Sequence, residues 1–215
     1  TEMLEIAGGL RSATGSDQDY PLCIHESTVE VLDAAADEYL AGLCDGAGDA
    51  AVITDKLPLN FLNIGLISMI LPGSRIIHCN RDPLDTCLSC YGNSFSSRMS
   101  FTANLEHLGR AYTDYARIMD HWRTVDIVPM HELDYESLAR NPEHEIGRVL
   151  EFLGLPWNDA CMEFHRSTRI AQTLSQDQVR QPMYTRSIGR SRAYWSQMEP
   201  VRRLLGDLVP SDPGH

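Results

Sequence analysis

Apolar positions along this chain follow two rhythms, and the switches between them divide it into elements. From about Thr28 to Leu43, Val31, Ala35, Tyr39 and Leu43 recur every four residues, one face of an amphipathic helix. Ala50 to Thr54 is instead a short continuous apolar run, set off by Asp45-Gly46 and Gly48-Asp49, and it predicts a buried strand. Leu59 to Leu71 predicts a helix stopped by Pro72-Gly73, and Arg75 to Cys79 a second buried strand. Asp82-Pro83 opens the next helix, because aspartate is a good N-cap and proline fits the first helical position. Between Phe101 and Val125, Phe101, Leu105, Leu108, Tyr112, Tyr115, Ile118 and Trp122 step by three and four, a core stripe on a long helix. Ile127 to Leu133 predicts a third strand, Asn141-Pro142 starts a helix that Gly154 ends, and Ala193 to Leu208 predicts a last helix. The first 25 residues carry little pattern, with Gly8-Gly9 and Gly15-Ser16-Asp17 as turns, and Thr168 to Ser191 is polar and irregular.

Strands alternating with helices predict one α/β domain over residues 1–215, with a largely parallel sheet. Ligands of such sheets gather at the carboxyl ends of the strands. Lys56 follows one expected strand and Arg81 the next, so two cations are expected on the same rim. Lys56 stands out for a second reason. It is the single lysine, against 17 arginines.

With 43% hydrophobic and 22% charged residues, the composition is that of a soluble globular protein. No apolar run approaches the roughly 20 residues of a membrane span. No secretory leader opens the chain, and the expected location is the cytoplasm. The net charge of −12 speaks against nucleic-acid binding. Residues 163 to 203 nevertheless hold eight arginines against three acids, a local +5 that leaves −17 for the rest. That segment suits a small compact anion, or equally a solvated arginine face. The six cysteines are scattered through apolar segments, which favours reduced, buried thiols. Cys87 and Cys90 have redox-motif spacing but lie one turn apart within an expected helix. The eight histidines form no ligand cluster, so no metal is expected.

In Arg81-Asp82-Pro83-Leu84-Asp85-Thr86-Cys87-Leu88-Ser89 a guanidinium at a strand end precedes a helix carrying a hydroxyl two turns on. Arginine can grip a phosphate with two parallel N–H bonds, and serine can donate another. Asp82 and Asp85 would oppose an anion unless one caps the helix and the other pairs with a cation. The same residues also read as a helix start with an ordinary surface ion pair.

Thr54-Asp55-Lys56-Leu57-Pro58 with Asn60-Phe61, Gly65-Leu66-Ile67, Pro72, Arg75-Ile76-Ile77-His78 and the Arg81–Ser89 run together resemble the sulfotransferase family. The likeness continues through Met119–Arg123, Tyr135-Glu136-Ser137-Leu138, Phe152–Trp157 and Gln178–Tyr184, and spans nearly the whole chain in order. It is nearest to bacterial members fused to tetratricopeptide repeats, related to tyrosylprotein sulfotransferases. The resemblance implies a P-loop-type three-layer fold and a transferase using 3′-phosphoadenosine 5′-phosphosulfate (PAPS). It implies that Arg81 and Ser89 hold the donor's 3′-phosphate, and that Tyr135 approaches the nucleotide. Lys56 would neutralise charge on the transferring group, and Glu2 would be the acceptor's general base. Ser187 and Arg190 fall where a loop folds over the nucleotide, although Ser191 replaces an aromatic common in the family. His165, Arg166 and Arg169 are weaker candidates whose alternative is a solvated helix face.

The family's first strand and Pro-Arg-Ser-Gly-Thr-Thr phosphate loop do not appear in this chain, which begins Thr1-Glu2-Met3. The expectation is therefore a chain incomplete at its N-terminus. It should bind PAPS poorly, and an unpaired apolar strand edge should favour self-association. A non-catalytic relic or binding module, and a P-loop kinase relative, are the rival readings. The acceptor remains open among a protein tyrosine, a carbohydrate and a small molecule.

Overall fold

The computed structural model describes residues 2–44, 47–93, 95, 97–166 and 181–209. The chain forms two compact units, one of Thr1–Ser74 with Ile118–Pro129 and one of Arg75–Arg117 with Met130–His215.

The second unit is built on two parallel strands, β1 (Ile76–Asn80) and β2 (Met130–Asp134), in register from Ile76 opposite Met130 to Asn80 opposite Asp134. Strands and helices alternate here as the pattern predicts, so the class is α/β. Both strands are half-buried rather than fully buried, and Cys79 is exposed. Among the described residues no third strand covers either edge.

Each strand runs straight into a capped helix. After β1, the Asp82 carboxylate accepts the Asp85 N–H at 2.8 Å and starts α4 (Pro83–Tyr91), with proline at the position that needs no N–H donor. After β2, the Asp134 carboxylate accepts the Ser137 N–H at 2.7 Å and starts α6 (Tyr135–Arg140). The helix α7 (Pro142–Leu153) ends at Gly154, whose φ of 71° is a left-handed cap that glycine adopts without steric cost.

The core that supports α4 joins Leu84 and Cys87 to Leu108 of α5 (Leu105–Val125) and to Met198, Val201 and Leu205 at the C-terminal helix (Glu199–Leu205). Burying a leucine or valine side chain contributes about 1.5–3 kcal/mol. The crossing is close, because a Cβ on Gly109 would stand 3.0 Å from Leu204 Cδ1. The single helix expected over Ala193–Leu208 is broken instead. A 3-10 stretch, Arg190–Tyr194, precedes the α-helix, whose N-terminus carries Pro200. Proline has no N–H to continue an earlier helix through that point.

In the first unit, α1 (Glu2–Thr14) occupies residues expected to be weakly structured. Met3, Ile6, Ala7 and Leu10 are buried at helical spacing, and Gly8-Gly9 lie on the helix's exposed side rather than in a turn. The predicted stripe of α2 (Val29–Cys44) is present, with Ala35 and Tyr39 at its buried centre. The helix expected over Leu59–Leu71 forms as a 3-10 stretch, Pro58–Asn63, continued by α3 (Ile64–Ile70).

The strand expected over Ala50–Thr54 does not form. These residues are exposed, Val52 at 48% and Ile53 at 36%. An apolar run becomes a strand only where a ladder partner exists, and the described residues supply none. Lys56 therefore does not follow a strand.

Candidate functional site

Asn80 and Asp134 are the last residues of two strands in register. The chain therefore releases the next residues, Arg81 and Tyr135, side by side. The Arg81 guanidinium lies over the Tyr135 ring, Cζ to centroid 4.7 Å. A cation over an aromatic face is attracted by the ring's negative potential, so Tyr135 steers the arginine as well as flanking it. Arg81 Nη2 also donates to the backbone carbonyl of Ser187. Three of the expected nucleotide-binding residues are thus in one cluster, although Ser187 enters it through its carbonyl rather than its hydroxyl. Arg81 Nε is buried with no hydrogen-bond partner among the described residues.

Ser89 lies on α4 one turn beyond Asp85, so the two share one helix face, while Arg81 precedes the helix and its Asp82 cap. Arg190 is exposed and starts the 3-10 stretch after Gly189. The loop reaches this helix through Asp85, whose side chain is fully buried. Its carboxylate accepts the N–H groups of Gly189 at 2.6 Å and Ser191 at 2.8 Å, and faces Arg81 Nη2 at 3.5 Å. Asp82 and Asp85 thus act as cap and ion-pair partner, the arrangement under which an anion could still be held nearby.

A polar layer fixes the backbone behind Arg81. Tyr112 donates to the Arg81 carbonyl at 3.4 Å and meets the Tyr115 ring edge-on at 5.2 Å. Tyr115 is hydrogen-bonded to His78 Nε2, and His78 Nδ1 is 2.6 Å from Glu132 Oε2, which also accepts from Asn80 Nδ2 at 3.0 Å. Glu136 Oε1 accepts the Asp82 N–H at 3.1 Å. Burial raises the Glu136 carboxyl above its ordinary range, against the lowering effect of that bond. Burial likewise pushes the Cys87 thiol up to about 12, so it remains protonated. Cys87 and Cys90 are both free thiols.

In the first unit, Lys56 is exposed and its ammonium makes no ion pair among the described residues. Its neighbour Asp55 is anchored, accepting from the Tyr39 hydroxyl at 2.9 Å and from Asn60 Nδ2 at 3.0 Å. Glu2 sits at the start of α1, with its Cγ 3.3 Å from where a Cβ on Gly42 would stand. Burial, then the bond to Asp55, then the charges of Asp55 and Glu2 raise the Tyr39 hydroxyl above its ordinary value. Asp55 and Asp85, the two carboxylates that hold these arrangements, were not predicted as site residues.

His165 and Arg166 lie in a short 3-10 turn, where Arg166 pairs with Glu163 at 2.6 Å as a surface ion pair. Arg169 and Gln178–Arg180 lie outside the described residues. Among the described residues no group of three or more His, Cys, Asp or Glu side chains could hold a metal ion, and no helix is long and apolar enough to cross a membrane.

Comparison with known sequences matches residues 10–159 to the model of the Sulfotransferase family. An uncharacterized protein of Aquifex aeolicus (strain VF5) is 34% identical over 191 residues, covering 87% of this chain and 25% of that protein. Protein-tyrosine sulfotransferase A of Caenorhabditis elegans is 23% identical over 164 residues, covering 71% of this chain and 40% of that protein. The chain thus spans well under half the length of either relative.

Proposed function

Because the chain belongs to the sulfotransferase family, we propose that it transfers a sulfuryl group from PAPS to an acceptor hydroxyl or amine by in-line displacement. The observation that carries this reading is the Arg81 cluster. A guanidinium is held by a ring, a carbonyl and a buried carboxylate, and among the described residues keeps a buried N–H without a partner. A buried unpaired donor is costly, and a phosphate oxygen is the kind of acceptor that satisfies it. This donor set suits the 3′-phosphate, which PAPS carries and ATP does not.

In this reading Arg81 and Ser89 grip the 3′-phosphate, Ser187 and Arg190 cover it, and Tyr135 borders the nucleotide. Lys56 stabilises negative charge on the bridging oxygen as its bond to sulfur breaks. Glu2 takes the acceptor's proton as the new sulfur–oxygen bond forms, and adenosine 3′,5′-bisphosphate leaves. A compact ammonium suits charge that shifts during transfer, and catalysis of this kind is mainly positioning and fixed positive charge. The named relative makes a protein tyrosine the first acceptor to try.

The test is competition between nucleotides in the full-length protein. Adenosine 3′,5′-bisphosphate should bind in preference to ATP. A preference for ATP would favour a kinase relative, and binding of neither would favour a relic without transfer chemistry.

A further inference from the structure

Among the described residues Asp85 is a fully enclosed carboxylate beside the Arg81 cluster, and sulfuryl transfer as proposed gives it no part. A carboxylate next to an anion site is electrostatically unfavourable for the anion. Burying it is also costly unless its oxygens are bonded. Here both are: Oδ2 accepts the Gly189 N–H, and Oδ1 the Ser191 N–H. These partners lie 104 and 106 residues away in sequence. They bracket Arg190 and follow Ser187, whose carbonyl holds Arg81 in turn. Gly189, at φ 72°, supplies the left-handed turn that points two N–H groups at one carboxylate. Asp85 therefore ties the loop carrying Ser187 and Arg190 to the helix that carries Ser89 and that Arg81 leads into.

We propose that Asp85 is a positioning residue for recognition of the nucleotide 3′-phosphate, holding the 187–191 turn and Arg81 in one fixed arrangement before the nucleotide arrives. The proposal rests on the sulfotransferase reading and deepens it. Preorganisation limits the ordering that binding must otherwise impose on a loop and a long side chain.

Two opposed effects make the proposal decidable. Removing a negative charge near a phosphate should strengthen binding if charge alone mattered. Losing the tie should weaken it. Asp85→Asn keeps the volume but presents an amide NH₂ to one of two N–H donors, so one bond is lost and one donor is left facing another.

The experiment measures by calorimetry the affinities of the full-length protein for adenosine 3′,5′-bisphosphate and for 5′-AMP, which lacks the 3′-phosphate. Their ratio reads 3′-phosphate recognition alone. In Asp85→Asn the ratio should fall about tenfold or more with 5′-AMP affinity unchanged, the size of one charge-assisted hydrogen bond. Gly189→Ala provides a second reading that leaves Asp85 and Arg81 in place, and decides the matter should Asp85→Asn fail to fold. Its Cβ would occupy a disfavoured φ and stand 3.2 Å from Arg192 Nε, and the ratio should again fall. An unchanged or raised ratio in the folded variants, or equal losses for both ligands, overturns the proposal. A wild-type protein with no preference for the bisphosphate overturns the underlying reading instead, before any variant is compared.

Discussion

Arg81 and Tyr135 meet as a cation over an aromatic face, 4.7 Å from Cζ to ring centroid, because the strands that precede them end in register. The contact predicts how two substitutions should differ. Tyr135→Ala removes the face and should weaken adenosine 3′,5′-bisphosphate binding by about two- to thirtyfold, the range of a cation–π contact at partly buried sites. Tyr135→Phe keeps the face and should bind within about twofold of wild type on the same grounds. Calorimetric affinities for both variants check this. Equal losses in the two would assign the role to the hydroxyl instead.

The Tyr39–Asp55 bond should matter to stability and to its dependence on pH. Tyr39→Phe removes one hydrogen bond, worth about 1 kcal/mol, and should lower Tm by about 2–4 °C for a chain of this size. In the folded protein the Tyr39 hydroxyl holds its proton above the ordinary value of 10.0. The folded state then binds a proton that the unfolded chain releases, so stability falls as pH rises beyond that ordinary value. Tyr39→Phe should flatten this alkaline decline without abolishing it, since burial raises Tyr20 and Tyr112 in the same direction. Urea midpoints measured on both proteins across the alkaline range test the difference in slope.

Glu136 makes the corresponding prediction on the acid side. Burial raises its carboxyl above 4.5 even though the Asp82 N–H favours the charged form. Its contribution is therefore fully present below the unfolded value and is lost as pH rises through the folded one. Glu136→Gln keeps an oxygen for the Asp82 N–H and cannot ionise. The variant should gain stability relative to wild type as pH rises past the ordinary value of 4.5. Parallel stability curves above that value would contradict the shift.

Local chemistry explains which features were legible in sequence. Asp82-Pro83 and Asn141-Pro142-…-Gly154 carry their own start and stop signals, and both helices lie where those signals put them. The α2 stripe through Ala35 and Tyr39 was equally plain. Gly8-Gly9 reads as a turn and obscures the α1 helix, although Met3, Ile6, Ala7 and Leu10 have helical spacing. The run over 50–54 misled for the opposite reason. Its composition suits a strand, but a strand depends on a partner that its own residues cannot specify. Within the site, Arg81 and Tyr135 could be named from sequence and are in contact. Asp85 is legible only as a cap or ion-pair partner, since its bonds to Gly189 and Ser191 are created only when the chain folds back across 104 residues or more.

Transfer itself is tested most directly with ³⁵S-labelled PAPS and the full-length protein, offered a tyrosine peptide, a carbohydrate and a small phenol. Wild type should pass label to at least one of them. Lys56→Ala should lose about a hundredfold or more in rate, as expected for removing a preorganised charge at a developing oxyanion, while keeping its affinity for adenosine 3′,5′-bisphosphate. Label appearing equally fast with wild type and Lys56→Ala, or no label from PAPS with any of the three acceptors, would contradict sulfuryl transfer assisted by this lysine.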